Sequence, residues 1–206
     1  MDNKERKTKK DLIKKAFDEH GGLMQTKDLN AIKVYYRDIQ KLIEAGLAEK
    51  VRYGYFQWVD EENLSEARLI NQLFPDGVLN MLTALFYYRY SDWIPLEWHI
   101  AVSKDSGKSR FNLDYPHVQP YYVEPSLLEL GLTTGDIDGN PVRIYDKERT
   151  ICDVLRYRKK IDREIFSKAI INFVQDRTKS ITRFSDYAKA LHVMTAAQDL
   201  VGIWMV

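Results

Sequence analysis

Residues 26–59 read TKDLNAIKVYYRDIQKLIEAGLAEKVRYGYFQWV, and this stretch carries the clearest structural pattern in the chain. Thr26 is a residue type that caps helices, so a short helix is predicted to begin there. A longer helix is predicted from about Lys33 to Ala45, because apolar residues recur at helical spacing and a glycine follows. Its inward face is Ile39, Leu42 and Ile43.

A hairpin and an earlier helix complete the pattern. Two runs of strand-forming residues flank Arg52-Tyr53-Gly54, which predicts a small β-hairpin over residues 47–59. Upstream, residues 7–20 place apolar side chains on one helical face and end at Gly21-Gly22. Three helices followed by a hairpin is the order of a winged helix-turn-helix, so we expect such a module over residues 1–61.

In a winged helix-turn-helix the third helix enters the major groove of DNA, and its outward side chains reach base edges and phosphates. Long polar residues occupy the outward positions of the predicted third helix, and two more lie at the hairpin tip. The expected DNA-binding residues are Lys33, Tyr36, Arg37, Gln40, Lys41, Arg52 and Tyr53. Two other interpretations stay open: a winged helix that docks on protein, or a helical bundle whose cations are merely solvated. Tyr35 and Tyr36 are equally compatible with packing.

Residues 62–206 are expected to form a second, mixed α+β domain with a small sheet and a helical end. Helices are predicted over 64–74 and 78–89. Short runs rich in aromatic and β-branched residues predict strands over 97–103, 110–114, 118–124 and 142–145. Helices are then predicted over 147–159, 163–175, 182–191 and 195–204, and Asp138-Gly139 is predicted to be a hairpin turn.

The net charge of +1 conceals a partition along the chain. Residues 1–59 carry +4, residues 60–145 carry −7, residues 146–189 carry +5, and Asp199 adds −1. A polyanion responds to the local field of a basic face rather than to the molecular total, so two basic segments suggest two separate tasks. Ordinary solvated surface charge is the alternative interpretation.

No pattern of catalytic or metal-binding residues withstands inspection, so neither an enzyme, a metal nor a cofactor is expected. Gly107-Lys108-Ser109 lacks the upstream glycine of a phosphate-binding loop, since position 102 is Val102. A calcium-like start at Asp136 fails because Pro141 stands where a glycine is required. The four histidines lack metal spacing, and one cysteine, Cys152, forms no internal disulfide. With no apolar run near the length of a membrane span, we expect a cytoplasmic protein without a membrane partner.

Two motifs together resemble a known family. Residues 145–153 read Y-D-x-E-R-T-I-x-D, and residues 26–47 read T-x-x-L-x-x-x-K-V-x-Y-R-x-I-x-x-L-x-x-x-G-L. The combination resembles the AbiEi family of type IV antitoxins over nearly the whole chain. That resemblance implies an autorepressor that binds double-stranded operator DNA and counters a nucleotidyltransferase-like toxin encoded beside it, in a phage-defence system. It does not imply a stable complex with the toxin.

The second domain is the part that the resemblance assigns to antitoxicity. A row of exposed cations is the feature best able to bind an anionic surface. The expected antitoxin surface is Arg149, Arg156, Arg158, Lys159 and Lys160. An ion pair between Arg149 and Asp153, four residues apart, is an equally good account of Arg149. Two other functions stay open: a winged-helix regulator whose second domain senses a ligand, and a nuclease targeted by the winged helix.

Overall fold

The chain is a mixed α+β protein with two separate β-sheets. The computed structural model describes residues 3–60 and 65–200, with side chains from 9–60 and 65–199. The helices are α1 (Asn3–Glu19), α2 (Thr26–Ala31), α3 (Tyr36–Glu44), α4 (Glu66–Leu73), α5 (Met81–Tyr87), α6 (Pro125–Leu128), α7 (Lys147–Arg156), α8 (Arg163–Gln175), α9 (Ile181–Ala190) and α10 (Met194–Leu200). The strands are β1 (Leu23–Gln25), β2 (Ala48–Arg52), β3 (Tyr55–Trp58), β4 (Val78–Leu79), β5 (Trp98–Ser103), β6 (Val118–Val123), β7 (Leu132–Ile137) and β8 (Asn140–Tyr145).

Two compact units divide the chain, and their boundary differs from the one predicted at residues 61 and 62. The first unit is residues 1–73 with 112–115, and the second is residues 74–111 with 116–206. Helix α4 therefore belongs to the first unit. The Gln72 side chain explains this, because its Nε2 donates to the carbonyl oxygens of His20 and Gly21, each at 3.2 Å, just beyond the end of α1.

The first unit packs helices α1, α2 and α3 on a three-stranded antiparallel sheet of order β1-β3-β2. The predicted hairpin is confirmed as β2 and β3. Phe17 of α1 meets Trp58 of β3 with ring centroids 5.6 Å apart. The apolar residues of its buried core are Ile13, Phe17, Met24, Leu29, Val34, Ile39, Leu42, Ala48, Phe56 and Trp58.

A five-stranded mixed sheet of order β6-β5-β4-β8-β7 forms the second unit. Its centre corrects a sequence prediction, because Val78 and Leu79 form strand β4 instead of starting a helix. Both side chains are buried, and β4 pairs with β5 on one side and β8 on the other. A two-residue strand is too short to show the alternation that identifies strands. The helix that follows, α5, begins at Met81.

One further predicted strand is absent from the structure, and one observed strand was not predicted. Residues 110–114 were predicted as a strand, whereas a short 3₁₀ turn covers Lys108–Phe111 and residues 112–115 return to the first unit. Strand β7 was not predicted, since Gly135 and Asp136 within it are poor strand formers. The predicted turn at Asp138-Gly139 is confirmed, and both residues have φ near the left-handed region that this hairpin type requires.

The helices after β8 follow the predictions closely. Helix α8 has the predicted bounds, α9 and α10 each begin one residue early, and α7 ends at Arg156 instead of residue 159. The predicted end of the last helix, Trp204, lies outside the described residues. Ile151, Leu155, Ala169, Phe173 and Ala188 are among the residues that bury these helices on one another.

Within the described parts of the chain, no helix combines the length and the apolar character needed to cross a membrane. Over the same residues, no three side chains of His, Cys, Asp or Glu are grouped as metal ligands would be.

His99 lies buried in β5, between β6 and β4 of the second sheet. Its ring stacks on Tyr121 of β6 with centroids 5.3 Å apart, and its backbone N–H donates to Thr83 Oγ1 at 2.9 Å. The Nδ1 atom is buried and finds no hydrogen-bond partner among the described residues. Burial disfavours the charged imidazolium and lowers the pKa of His99 to about 4.

This buried histidine predicts a loss of stability in mild acid. Below the ordinary histidine pKa of 6.5, His99 becomes protonated in the unfolded chain but stays neutral in the folded chain. The free energy of unfolding therefore decreases as the pH drops from 6.5 toward 4. At pH 4.5 the loss from this one group is about 2 kcal/mol. Urea denaturation at pH 7.5 and 4.5 measures it. His99→Gln should show a correspondingly smaller difference between the two pH values, and an equal difference in both proteins would contradict the assignment.

Candidate nucleic-acid interface

The turn between α2 and α3 is a Schellman motif that ends α2 at a fixed angle. Lys33 N–H donates to Asn30 O at 3.0 Å and Val34 N–H donates to Leu29 O at 2.9 Å. Val34 and Leu29 are also both in the apolar core, as this motif commonly requires. Lys33 adopts φ +60°, so it belongs to the turn, and the prediction that the third helix begins there is wrong.

Helix α3 begins at Tyr36, and an acidic residue stabilises its first turn. Asp38 Oδ2 accepts from the backbone N–H of Tyr35 at 3.3 Å, which satisfies a donor that the helix leaves free. Asp38 Oδ1 also pairs with Lys9 Nζ of α1 at 3.0 Å. The Lys9 ammonium holds the pKa of Asp38 below its usual value, so the carboxylate is charged and already paired with a cation.

The outward face of α3 carries cations and aromatic rings. Arg37 and Lys41 are exposed and four residues apart, which places them on one side of the helix. Tyr36 is 71% exposed and Tyr35 is 57% exposed, so the interpretation of these two rings as packing residues is wrong. Gln40 is half-buried. Tyr35 was not among the expected DNA-binding residues, although its position beside Tyr36 in the sequence is a usable signal.

The hairpin tip is held in place and presents one fully exposed ring. Gly54, at φ +76°, accepts through its carbonyl oxygen from Thr26 N–H at 2.9 Å, so the tip is tied to the first residue of α2. Tyr53 is 92% exposed. The Arg52 guanidinium lies over the Tyr55 ring, 3.9 Å from its centroid, and is half-buried.

Together, the turn, the outward face of α3 and the hairpin tip form what we term the α3–hairpin surface. Its members are Lys33, Tyr35, Tyr36, Arg37, Gln40, Lys41, Arg52 and Tyr53. None of these residues is acidic, and the cations are of the two types that contact phosphates. Aromatic rings add hydroxyl donors and stacking faces. Side chains of these types suit a polyanion that also exposes the edges of its bases.

In the second unit, residues 148–153, which read E-R-T-x-x-D, are buried in the core. Arg149 is fully buried, so its expected place on an exposed antitoxin surface is wrong. Its Nε donates to both carboxylate oxygens of Asp153 at 3.2 Å, and its Nη1 donates to the carbonyl oxygens of Leu127 and Leu130 at 2.8 and 2.7 Å. The guanidinium also lies 4.1 Å from the Tyr145 ring centroid. Burial raises the pKa of Asp153, which Arg149 opposes.

The neighbouring acidic residues of this segment also form structural contacts. Asp146 caps α7 by accepting from Arg149 N–H at 2.8 Å, and its other oxygen accepts from Tyr187 OH at 3.1 Å. Glu148 is fully buried and accepts from Ser180 N–H at 2.5 Å and from Arg183 Nη2 at 3.3 Å. The motif therefore joins α7 to α9.

The other expected cations of the second unit are exposed. Arg156, Arg158, Lys159 and Lys160 all lie at the surface around the end of α7. Two of them, Arg156 and Arg158, line a cleft of about 350 Å³ that we term the cationic cleft. Its lining is Arg156, Arg158, Leu191, His192, Val193, Thr195 and Ala196. His192 and Thr195 were not predicted as site residues, since nothing in the sequence connects the end of α9 with the end of α7.

The fold of the chain is similar to that of a solved structure. No protein-family model and no curated protein matches the chain in sequence. The crystal structure of the RV2827C protein from Mycobacterium tuberculosis is similar, with a TM-score of 0.65 and 13% sequence identity. The match covers 93% of this chain and 79% of that one. At this identity the likeness concerns the fold.

The Arg149 contacts predict a strong effect of losing the buried cation. Arg149→Met should destabilise the protein by about 3 to 5 kcal/mol, because Asp153 would remain as an unpaired buried charge. Adding Asp153→Leu should recover part of the loss. Lys168→Met, which removes an exposed partner of Asp92, is the control and should cost far less. Urea denaturation compares the four proteins, and an Arg149→Met loss no larger than that of the control would contradict the account.

Proposed function

We propose that the chain is a transcriptional autorepressor and antitoxin of the AbiEi type. In this proposal the first unit is a winged helix-turn-helix that binds double-stranded operator DNA. The second unit counters a nucleotidyltransferase-like toxin encoded by a neighbouring gene. The observation that carries the proposal is the α3–hairpin surface, where a helix with a buried apolar face presents cations and aromatic rings outward.

Three features of the first unit support DNA binding. The elements run α1, β1, α2, α3, β2 and β3, with α2 and α3 joined by a short turn, and this order supports a winged helix-turn-helix. The third helix buries Ile39 and Leu42 while Arg37 and Lys41 remain exposed, so the polar set is free for a ligand. The tip residue Tyr53 extends into solvent, where a wing would reach the backbone or minor groove.

The left-handed conformation of Lys33 determines which substitutions can test its role in the α3–hairpin surface. A lysine at φ +60° carries backbone strain that alanine would also carry, whereas glycine adopts this conformation readily. Lys33→Gly therefore removes the charge and keeps the turn. Lys33→Ala removes the charge and retains the strain. Comparing both separates the loss of a phosphate contact from a distorted turn.

For antitoxicity, the surviving candidates are the exposed cations Arg156, Arg158, Lys159 and Lys160. They lie on one continuous segment that closes α7, and Arg158 Nη1 donates to Leu155 O at 3.1 Å, which satisfies a free carbonyl near the helix end. An anionic surface, whether nucleic acid or an acidic toxin patch, is the partner that such a segment attracts. The proposal does not require a stable complex.

A second candidate function is a regulator whose second unit senses a small ligand. The observation that favours it is the cationic cleft, a concave surface of a size that small molecules occupy. The two candidates share the DNA-binding unit. They differ in whether the protein rescues cells from the product of its neighbouring gene.

Helix α3 variants should weaken binding to the protein's own upstream DNA. Arg37→Ala should cost about 1 to 3 kcal/mol if the side chain reads a base edge, while Lys41→Ala and Lys33→Gly should mainly reduce the salt dependence. Lys15→Ala on α1 removes the same charge from an exposed position outside the surface and is the matched control. Gel-shift titrations at two salt concentrations measure both effects. Equal affinities for Arg37→Ala and the control would place the DNA contact elsewhere.

Charge reversal at the end of α7 should abolish antitoxicity and spare DNA binding. We expect cells expressing the neighbouring toxin to be rescued by the unaltered protein and by Arg37→Ala, but not by Arg158→Glu with Lys159→Glu. Arg163→Glu with Arg177→Glu reverses two exposed cations elsewhere in the second unit and should rescue. Growth on toxin induction is the readout, with circular dichroism to confirm folding. Full rescue by the folded Arg158/Lys159 variant would exclude this segment as the antitoxic surface.

A further inference from the structure

We propose that the cationic cleft of the second unit binds a nucleoside phosphate, with the phosphate on the two arginines and the nucleoside against the apolar wall. This inference goes beyond DNA binding and antitoxicity, since neither requires a small ligand, and it names the ligand class for the second candidate function. It concerns a different surface from the α3–hairpin surface.

The phosphate end of the cleft is defined by Arg156 and Arg158. No lining residue is acidic, so no carboxylate in the cleft competes with an incoming anion. The Arg156 side chain forms no hydrogen bond or ion pair among the residues that the structure describes, and its charge acts only at longer range on the buried Asp153 carboxyl. Arg158 uses one nitrogen on Leu155 O and keeps further N–H donors. Two guanidinium groups provide the forked donors that match phosphate oxygens in pairs.

The wall of the cleft suits a sugar and base. Leu191 and Val193 close the floor of the cleft from the buried core, and the half-buried Ala196 adds to it, so the surface that a ligand meets here is small and aliphatic. Small-molecule sites are commonly apolar with a few placed polar groups, and here the polar groups are the His192 ring and the Thr195 hydroxyl. These side chains give a nucleoside both a packing surface and hydrogen-bond partners.

The backbone on this side forms a hydrogen-bonded turn, which favours a preformed site. His192 N–H donates to Lys189 O at 3.1 Å and Val193 N–H donates to Ala188 O at 2.9 Å, the pattern of a Schellman motif at the end of α9. His192 adopts φ +57° within it. Because this wall is already ordered, little conformational entropy of the protein is lost when a ligand binds.

Size distinguishes a small ligand from a macromolecule. The volume of about 350 Å³ lies at the lower end of the range for small-molecule sites, roughly 300–1,000 Å³. A nucleic-acid duplex or an acidic protein face would contact a broad row of cations, in which Lys159 would count as much as Arg158. A nucleoside phosphate instead requires the two arginines that line the cleft.

Calorimetric titration of the purified full-length protein tests the inference. The probes are ATP, GTP, CTP and UTP, with inorganic phosphate and adenosine as partial ligands. We expect at least one nucleotide to bind, and both partial ligands to bind at least about tenfold more weakly. Arg156→Gln with Arg158→Gln should weaken nucleotide binding about tenfold or more, because charge-assisted contacts are lost. Lys159→Gln, an exposed cation outside the lining, should change it less than about twofold.

A second variant distinguishes loss of the binding site from a loss of folding. Thr195→Tyr fills the cleft from an exposed position and leaves both arginines in place, so it should also abolish binding in a protein that melts normally. The proposal is overturned if no nucleotide binds at millimolar concentration, if phosphate alone binds as tightly, or if Lys159→Gln weakens binding as much as the double variant. No toxin or operator is present, so these outcomes are independent of the proposed function.

Discussion

The second unit depends on one buried cation, Arg149. A guanidinium with no exposed surface is tolerable only where its charge and its donors are matched, and Asp153 with two backbone carbonyls of the 127–130 segment provides most of that match. Gly131 allows the approach, since a Cβ there would lie 2.5 Å from Arg149 Cβ. Because Asp146 and Glu148 of the same segment bind α9, the position of α7 is fixed from several sides at once. The position of α7 in turn sets the positions of the exposed cations at its end and of the cationic cleft that two of them line.

This arrangement separates what a sequence motif reports from what the protein binds. Charged residues in a short motif such as E-R-T-x-x-D suggest a binding site, yet the three charged side chains of this segment are buried and paired within the fold. The motif therefore reports on the core of the second unit. The candidate interfaces instead use residues whose identity the core does not dictate: Arg37 and Lys41 on α3, and Arg156 and Arg158 after the motif.

Local patterns predicted much of the secondary structure, and long-range contacts explain the rest. The bounds of α8 and the hairpin of the first unit follow from helical spacing and turn chemistry, which are properties of adjacent residues. Strand β4 was missed because Val78 and Leu79 become a strand only through partners far along the chain, at β5 and β8. Arg149 was placed at the surface because a charge is normally exposed, and its burial requires the 127–130 carbonyls. Of the candidate sites, the α3–hairpin surface was predictable and the cationic cleft was not.

The central claim is that the first unit recognises a specific duplex through α3 and the hairpin. Its most direct test is the affinity of the full-length protein for the duplex upstream of its own gene and for a scrambled duplex of equal composition, measured by fluorescence anisotropy over a range of salt concentrations. The account predicts that log affinity falls linearly with log salt for both duplexes, with a preference for the upstream duplex of about 10³ or more at physiological salt. Equal affinity for the two duplexes at every salt concentration would contradict it.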